Sequence, residues 1–322
     1  MFFGDKKVAA RLSALEREVK GLREKVATAK PESVTRAAVK VEPITHKTRA
    51  VVSCVTDNFI GLGATFLASL MENGKLSADT AVVLLTDPTY APLSQENRAL
   101  LTRICPRLQF LTPDTSFLGD DLTKRWKEGR HVKAATDAEL PNKRSVYIKL
   151  CTLRLDQFDS ILWLDSDMLL VRSVVELFDL PTPLAMVRGG KPHHHFGVTF
   201  GQQKMGFNSG MMLIRKPYIG EKSFQASVAL LQEKKHTEKQ DQSLLNVQWL
   251  NEPRMYLPHH YNWKLGLLKT DEDWDHAFDH ARVIHFDGPC KWALKDGSRS
   301  NKTTAAFHEL REKYEIPMVM EP

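Results

Sequence analysis

ILWLDSDMLLV, residues 161–171, sets Asp165 and Asp167 inside a run whose other letters suit a buried strand. An unpaired buried carboxylate is strongly disfavoured, so this pair demands a compensating charge. Its surroundings supply a geometry. Upstream, short apolar runs at 50–55, 81–85 and 108–111 read as strands, with helical spacing at 62–71, 96–104 and 146–156 between them. Ile161–Leu164 is then a fourth strand. Buried strands alternating with helices predict a mostly parallel sheet covered on both faces. In such sheets ligands bind beyond the carboxyl ends of the strands, which is where Asp165 and Asp167 fall.

Downstream the pattern loosens. Residues 184–187, 211–214 and 283–286 read as strands, 224–235 and 303–314 as helices, and antiparallel pairs are expected among them. The polar stretches KPHHHFGVTFGQQ (191–203) and DEDWDHAFDH (271–280) read as solvated loops, the first also as a candidate acceptor contact. Residues 113–145, with Trp126 and His131, read as a surface insertion or a lid.

The 322 residues carry a net charge of +6, and its distribution is uneven. Residues 1–49 hold 12 Lys+Arg against 6 Asp+Glu, which is the whole excess (12 − 6 = +6). The balanced body gives no sign of a nucleic-acid groove. Val8, Leu12, Leu15, Val19, Leu22 and Val26 follow a heptad seam, so residues 1–30 are expected to form a helix. It would make a homo-oligomeric coiled coil or lie on an anionic membrane surface. Residues 31–48, with two prolines, read as a linker to a domain over 49–322. No run is apolar enough for a transmembrane helix, and the start does not read as a secretory signal. Four scattered cysteines, without a CxxC pair, suit a reducing cytoplasmic compartment, at most peripheral to the inner face of a membrane.

Two aspartates flanking one serine can both reach a hard divalent cation, and Mg²⁺ or Mn²⁺ would compensate their charge. A bare DxD is a weak signal, and a strand-end turn is its plain alternative. Further polar islands stand in a particular order: FNSGMMLIR (207–215), which reads as a turn before a strand, KQDQSLLN (239–246), with Asp241 and Gln242 ahead of a helical run, LPHHYNW (257–263), a strand end, and VIHFDGPCKW (283–292), a strand running into a loop.

With these motifs the chain resembles glycosyltransferase family 8, which includes glycogenin, galactinol synthase and bacterial lipopolysaccharide galactosyl- and glucosyltransferases. The resemblance covers roughly residues 50–295. It implies an α/β GT-A fold, a nucleotide-sugar donor (usually a UDP-sugar), a Mn²⁺ or Mg²⁺ ion, a glycan or glycolipid acceptor and retention of anomeric configuration. Carried over to matching positions, it makes Asp165, Asp167 and His285 metal ligands. It places Thr56, Asp57 and Asn58 at the nucleobase and ribose, with Lys149, Ser166, Asn208 and Ser209 along the donor. Gly288 and Lys291 would meet the diphosphate, and Asp241 and Gln242 would sit beside the transferring carbon as the catalytic pair. The family usually reads K-P-W in its late loop, whereas this chain reads Lys291-Trp292 without the proline. The resemblance implies transfer of a hexose, glucose or galactose, in polysaccharide biosynthesis. Another nucleotide-dependent transferase of similar architecture would carry a glycine-rich pyrophosphate loop, which TDNFIGLGATF (56–66) lacks. A non-catalytic coiled-coil scaffold would have no use for an intact set of polar residues.

Overall fold

The computed structural model describes residues 48–119, 145–189, 199–201, 206–233, 240–297 and 299–320. The helix expected over 1–30, nearly all of the linker, most of the 113–145 segment and most of the histidine-rich stretch lie outside them. Contacts divide the chain into Met1–Thr45 and His46–Pro322, and every described element belongs to the second.

The first half follows its apolar pattern. Strands β1 (Arg49–Cys54), β2 (Ala81–Leu85), β3 (Leu108–Leu111) and β4 (Ser160–Leu164) alternate with helices α1 (Ile60–Asn73) and α2 (Gln95–Ile104). A 3-10 stretch, Val146–Arg154, replaces the α-helix expected there. β1 pairs in parallel with β2 and β4, and β2 with β3. Because side chains alternate along a strand, β4 serves two cores. Leu162 and Leu164 face α1 and the C-terminal helices, while Ile161 and Trp163 face the 3-10 stretch.

The second half supplies β5 (Met168–Leu170), β6 (Leu184–Arg188), β7 (Thr199–Gly201), β8 (Phe207–Arg215), β9 (Arg254–Leu257), β10 (Trp263–Lys264) and β11 (Val283–His285). The large sheet runs β3-β2-β1-β4-β8-β6-β9-β7, and a small sheet runs β10-β11-β5. β8 is antiparallel to both β4 and β6, as the mixed second half predicts. Helices α3 (Glu221–Gln232), α4 (Gln240–Gln248), α5 (Asp271–His280), α6 (Trp292–Asp296) and α7 (Lys302–Lys313) complete the α-helices of the described residues, and short 3-10 turns link several elements.

Three local expectations are corrected. FNSG is not a turn before a strand; β8 begins at Phe207, so Asn208, Ser209 and Gly210 are strand residues. Asp241 and Gln242 lie within the first turn of α4 and not ahead of it. The acidic segment 271–280 is helix α5 and not a solvated loop. Thr270 accepts from the Asp273 backbone N–H and Asp273 answers the Thr270 backbone, a reciprocal cap that favours acidic residues in the first turn. The charge density hid the spacing of Trp274 and Ala277, both fully buried.

Trp274 packs near Phe286, and the Arg299 guanidinium lies 4.6 Å from its ring centre. Trp274→Ala is expected to cost about 3–5 kcal/mol, as large buried aromatics do. A urea midpoint close to that of the wild type would return the segment to a solvated loop.

Candidate active site

The apolar run 161–171 is not one strand. It is split between the two sheets: Leu164 ends β4 in the large sheet, and Met168 opens β5 in the small one. The Asp165-Ser166-Asp167 turn crosses the gap, which is why two carboxylates can leave an apolar run without entering a core. β8, antiparallel to β4, brings its first residues to the same edge, and Asp165 N–H donates to the Gly210 carbonyl at 2.8 Å. β11 brings His285 opposite Met168, with Phe286 N–H donating to the Asp167 carbonyl at 2.9 Å.

The two aspartates face different partners. Asp165 continues the alternation of Trp163 and shares its face, and the Trp163 indole N–H donates to Asp165 Oδ1 at 2.7 Å. Lys149 Nζ lies 3.0 Å from the same oxygen and 2.7 Å from Asp241 Oδ2. Ser209 Oγ donates to Asp241 Oδ2 at 2.8 Å. Burial would pull the Lys149 ammonium down, but Asp165 and Asp241 outweigh it and raise it above the usual lysine range. Lys149 is therefore a fixed cation between two carboxylates.

Asp167 meets Lys291 Nζ at 2.9 Å and His285 Nε2 at 3.2 Å. Burial alone would push its carboxyl up; Lys291 and His285 win and hold it far below the usual carboxylate range. The same contacts raise His285 and Lys291 against the opposing effect of burial. The Lys291 ammonium also lies 5.4 Å from the ring centre of Phe59, in the segment that leaves β1.

Asp165, Asp167 and His285 can each present one ligand atom within 4.8 Å of the others. Two carboxylates and an imidazole suit Mn²⁺ or Mg²⁺, with open positions for substrate oxygens. A Cβ on Gly210 would fall 2.6 Å from His285 Cε1 and 3.0 Å from Asp165 Oδ2, so the cluster exists in this form because position 210 has no side chain.

The chain thus joins most of the expected site residues into one connected set. Asp165, Asp167, His285, Lys291, Lys149 and Asp241 form its charged part, with the Ser209 hydroxyl on Asp241. Asn208 Nδ2 donates to Gln242 Oε1 at 2.9 Å and ties in the amides. Ser166 sits half-buried in the aspartate turn. Gly288 opens the late loop with φ +64°, a left-handed conformation that explains glycine there without any crowding. Thr56 and Asn58 lie at the carboxyl end of β1, as expected. The Asp57 carboxylate, however, accepts from Ser94 N–H at 2.9 Å and from Asn97 Nδ2 at 2.7 Å, so it braces the start of α2. Trp163 and Asn262 carry the site's supporting hydrogen bonds and were not singled out for it from sequence. An indole between Leu162 and Leu164 reads as core, and LPHHYNW reads as a strand end.

A GT-A architecture follows from these features: a mostly parallel sheet with an antiparallel part, and an acidic pair at the carboxyl end of β4. The chain belongs to glycosyltransferase family 8, whose profile matches residues 50–293. Solved structures share the fold at low identity. The galactosyltransferase LgtC, in complex with donor and acceptor sugar analogues, aligns with TM-score 0.57 and 18% identity, covering 84% of this chain and 98% of that one. The bifunctional glycosyltransferase WbbM aligns with TM-score 0.54 and 18% identity over 84% of this chain and 50% of that one. GlyE of Streptococcus pneumoniae aligns with TM-score 0.53 and 20% identity over 82% and 60%. An uncharacterised protein, R707 of Acanthamoeba polyphaga mimivirus, is 26% identical over 171 residues, 48% of this chain. The match spans 57% of that relative's length. No helix among the described residues is long and apolar enough to cross a membrane.

Proposed function

We propose that the protein is a metal-dependent, retaining glycosyltransferase that moves a hexose from a UDP-sugar to a glycan or glycolipid hydroxyl. The observation that carries this reading is the cluster of Asp165, Asp167 and His285 beside Lys291. A bound Mn²⁺ or Mg²⁺ would supply positive charge to the departing diphosphate. Asp165, Asp167 and His285 would hold it, and Lys291 adds a cation on the same side. Charge fixed in advance counts for most in a site that excludes water, and Lys291 and His285 are fixed by their shared partner. Thr56, Asn58 and the backbone after β1 offer a wall for the nucleoside, Gly288 backbone for the diphosphate, and Asn208 and Ser209 polar contacts for the sugar.

Retention requires two displacements or attack on the face that the leaving group vacates. Same-face attack is favoured by the state of Asp241. Its Oδ2 is held by both Lys149 and Ser209, and the residue is 7% exposed, a poor setting for a free nucleophile. Gln242, an amide, is poorer still. Asp241 then fixes Lys149 and adds negative potential near the carbon that becomes positive.

Residues 1–30 are proposed to assemble the enzyme through their heptad seam or to hold it against a membrane surface, which suits polysaccharide or lipopolysaccharide assembly on the cytoplasmic side. Release of nucleotide from a panel of UDP-, GDP- and CMP-sugars, with Mn²⁺ and with EDTA, tests the central reading. Mn²⁺-dependent release of UDP from one sugar is expected. No release, and no binding of UDP with any divalent ion, would sink it.

A further inference from the structure

Four hydrogen bonds run between the proposed metal site and α4, and one backbone group fixes the direction of all of them. Gly210 N–H donates to one terminal atom of the Asn208 side chain at 3.1 Å, and a backbone N–H can only donate. That atom is therefore Oδ1, and the other is the NH2. Asn262 meets the same Oδ1 at 2.7 Å and must present its own NH2 there. Its carbonyl oxygen is then the atom that meets His285 Nδ1, at 2.9 Å, so Nδ1 carries the proton. At the far end the Asn208 NH2 donates to Gln242 Oε1 at 2.9 Å. Asn262 is 2% exposed, and water has little access to replace these contacts. α4 cannot drift from this register, because Asn246 donates to the Phe207 carbonyl and accepts from the Phe207 N–H.

We propose that Asn262 is a positioning residue: it fixes the ring orientation and proton position of His285, so that Nε2 is presented to the divalent ion, and it fixes the amides of Asn208 and Gln242 from the same side chain. The inference rests on the metal reading above for its consequence, while the hydrogen-bond relay stands on its own. A histidine ligand whose second nitrogen donates to a carbonyl keeps its orientation without the ion, and loss of such partners typically costs 10–100-fold in metal affinity.

Two variants of the full chain separate the two halves of the relay. Asn262→Ala removes both. Asn262→Asp keeps an acceptor for His285 Nδ1 but offers no donor to Asn208. Mn²⁺ affinity, read by electron paramagnetic resonance of free Mn²⁺, is expected to fall about 10–100-fold in Asn262→Ala and to return within a few-fold in Asn262→Asp. Turnover of Asn262→Asp stays depressed at saturating Mn²⁺, because Asn208 and Gln242 have lost their alignment. Nitrogen-15 spectra of the metal-free protein are expected to show the His285 Nδ1 proton held in a hydrogen bond, and that signal to shift or disappear in Asn262→Ala. If wild type and Asn262→Ala, both folded by circular dichroism, share the same Nδ1 signal and the same Mn²⁺ affinity, the proposal is wrong. Should the wild type bind no Mn²⁺ at all, the metal reading fails, and the Nδ1 comparison still decides whether Asn262 orients His285.

Discussion

Asp167→Asn is expected to give a folded protein that neither holds Mn²⁺ nor releases nucleotide, with turnover down by about 10³-fold or more. Asparagine keeps the volume and removes the charge. That charge is what Lys291 and His285 share, at 2.9 and 3.2 Å, and those two partners keep the half-buried carboxylate ionised. Without it the cluster retains one carboxylate and an imidazole, too little negative charge to hold a hard cation in competition with water. Lys291 would lose the contact that sets its position. Circular dichroism and the thermal midpoint check the fold, electron paramagnetic resonance checks the ion, and nucleotide release checks the chemistry. Near-normal release with an intact fold would mean that the aspartate pair is a structural turn.

Gly210→Ala adds one methyl group and is expected to do nearly as much. The new Cβ would stand 2.6 Å from His285 Cε1, 2.9 Å from Asn208 Oδ1 and 3.0 Å from Asp165 Oδ2. β8 cannot retreat, since the Gly210 N–H and carbonyl are both engaged, by Asn208 and by Asp165. The side chains must move, and those are the ones that build the site. A misplacement of about 1 Å commonly costs about 10²-fold in rate, and this is the loss expected here. Stability should fall by about 1–3 kcal/mol, the usual cost of overpacking. Gly189→Ala is the matched control: its Cβ would meet nothing closer than 3.4 Å, so activity should be unaffected. Equal activity in both variants would show that the packing around His285 yields more easily than the geometry implies.

Much of the site was legible because its residues are chemically unusual for their places. A DSD in an apolar run, a histidine closing a strand, and the DQ pair at the start of helical spacing each depart from what burial or propensity would select. Asp57 shows where that logic leaves a choice open. A polar residue after a strand reads equally as a ligand contact or as a brace, and the Asp57 carboxylate makes the bonds of a brace, to Ser94 and Asn97. The α5 segment misleads for another reason, because seven charged or titratable letters in ten mask two buried ones.

By itself the sequence determined the alternating architecture of the first half, since buried parallel strands must be continuous apolar runs. It also determined the residue types a metal site would need. What it could not determine was which atoms meet. The run 161–171 is broken between two sheets because β11 pairs with β5 while β8 pairs with β4, a choice made by strands that begin more than 35 residues downstream. The direction of the amide relay likewise depends on a backbone N–H at Gly210 reaching one side-chain oxygen. Such contacts are set by packing between distant segments, and no local spacing encodes them.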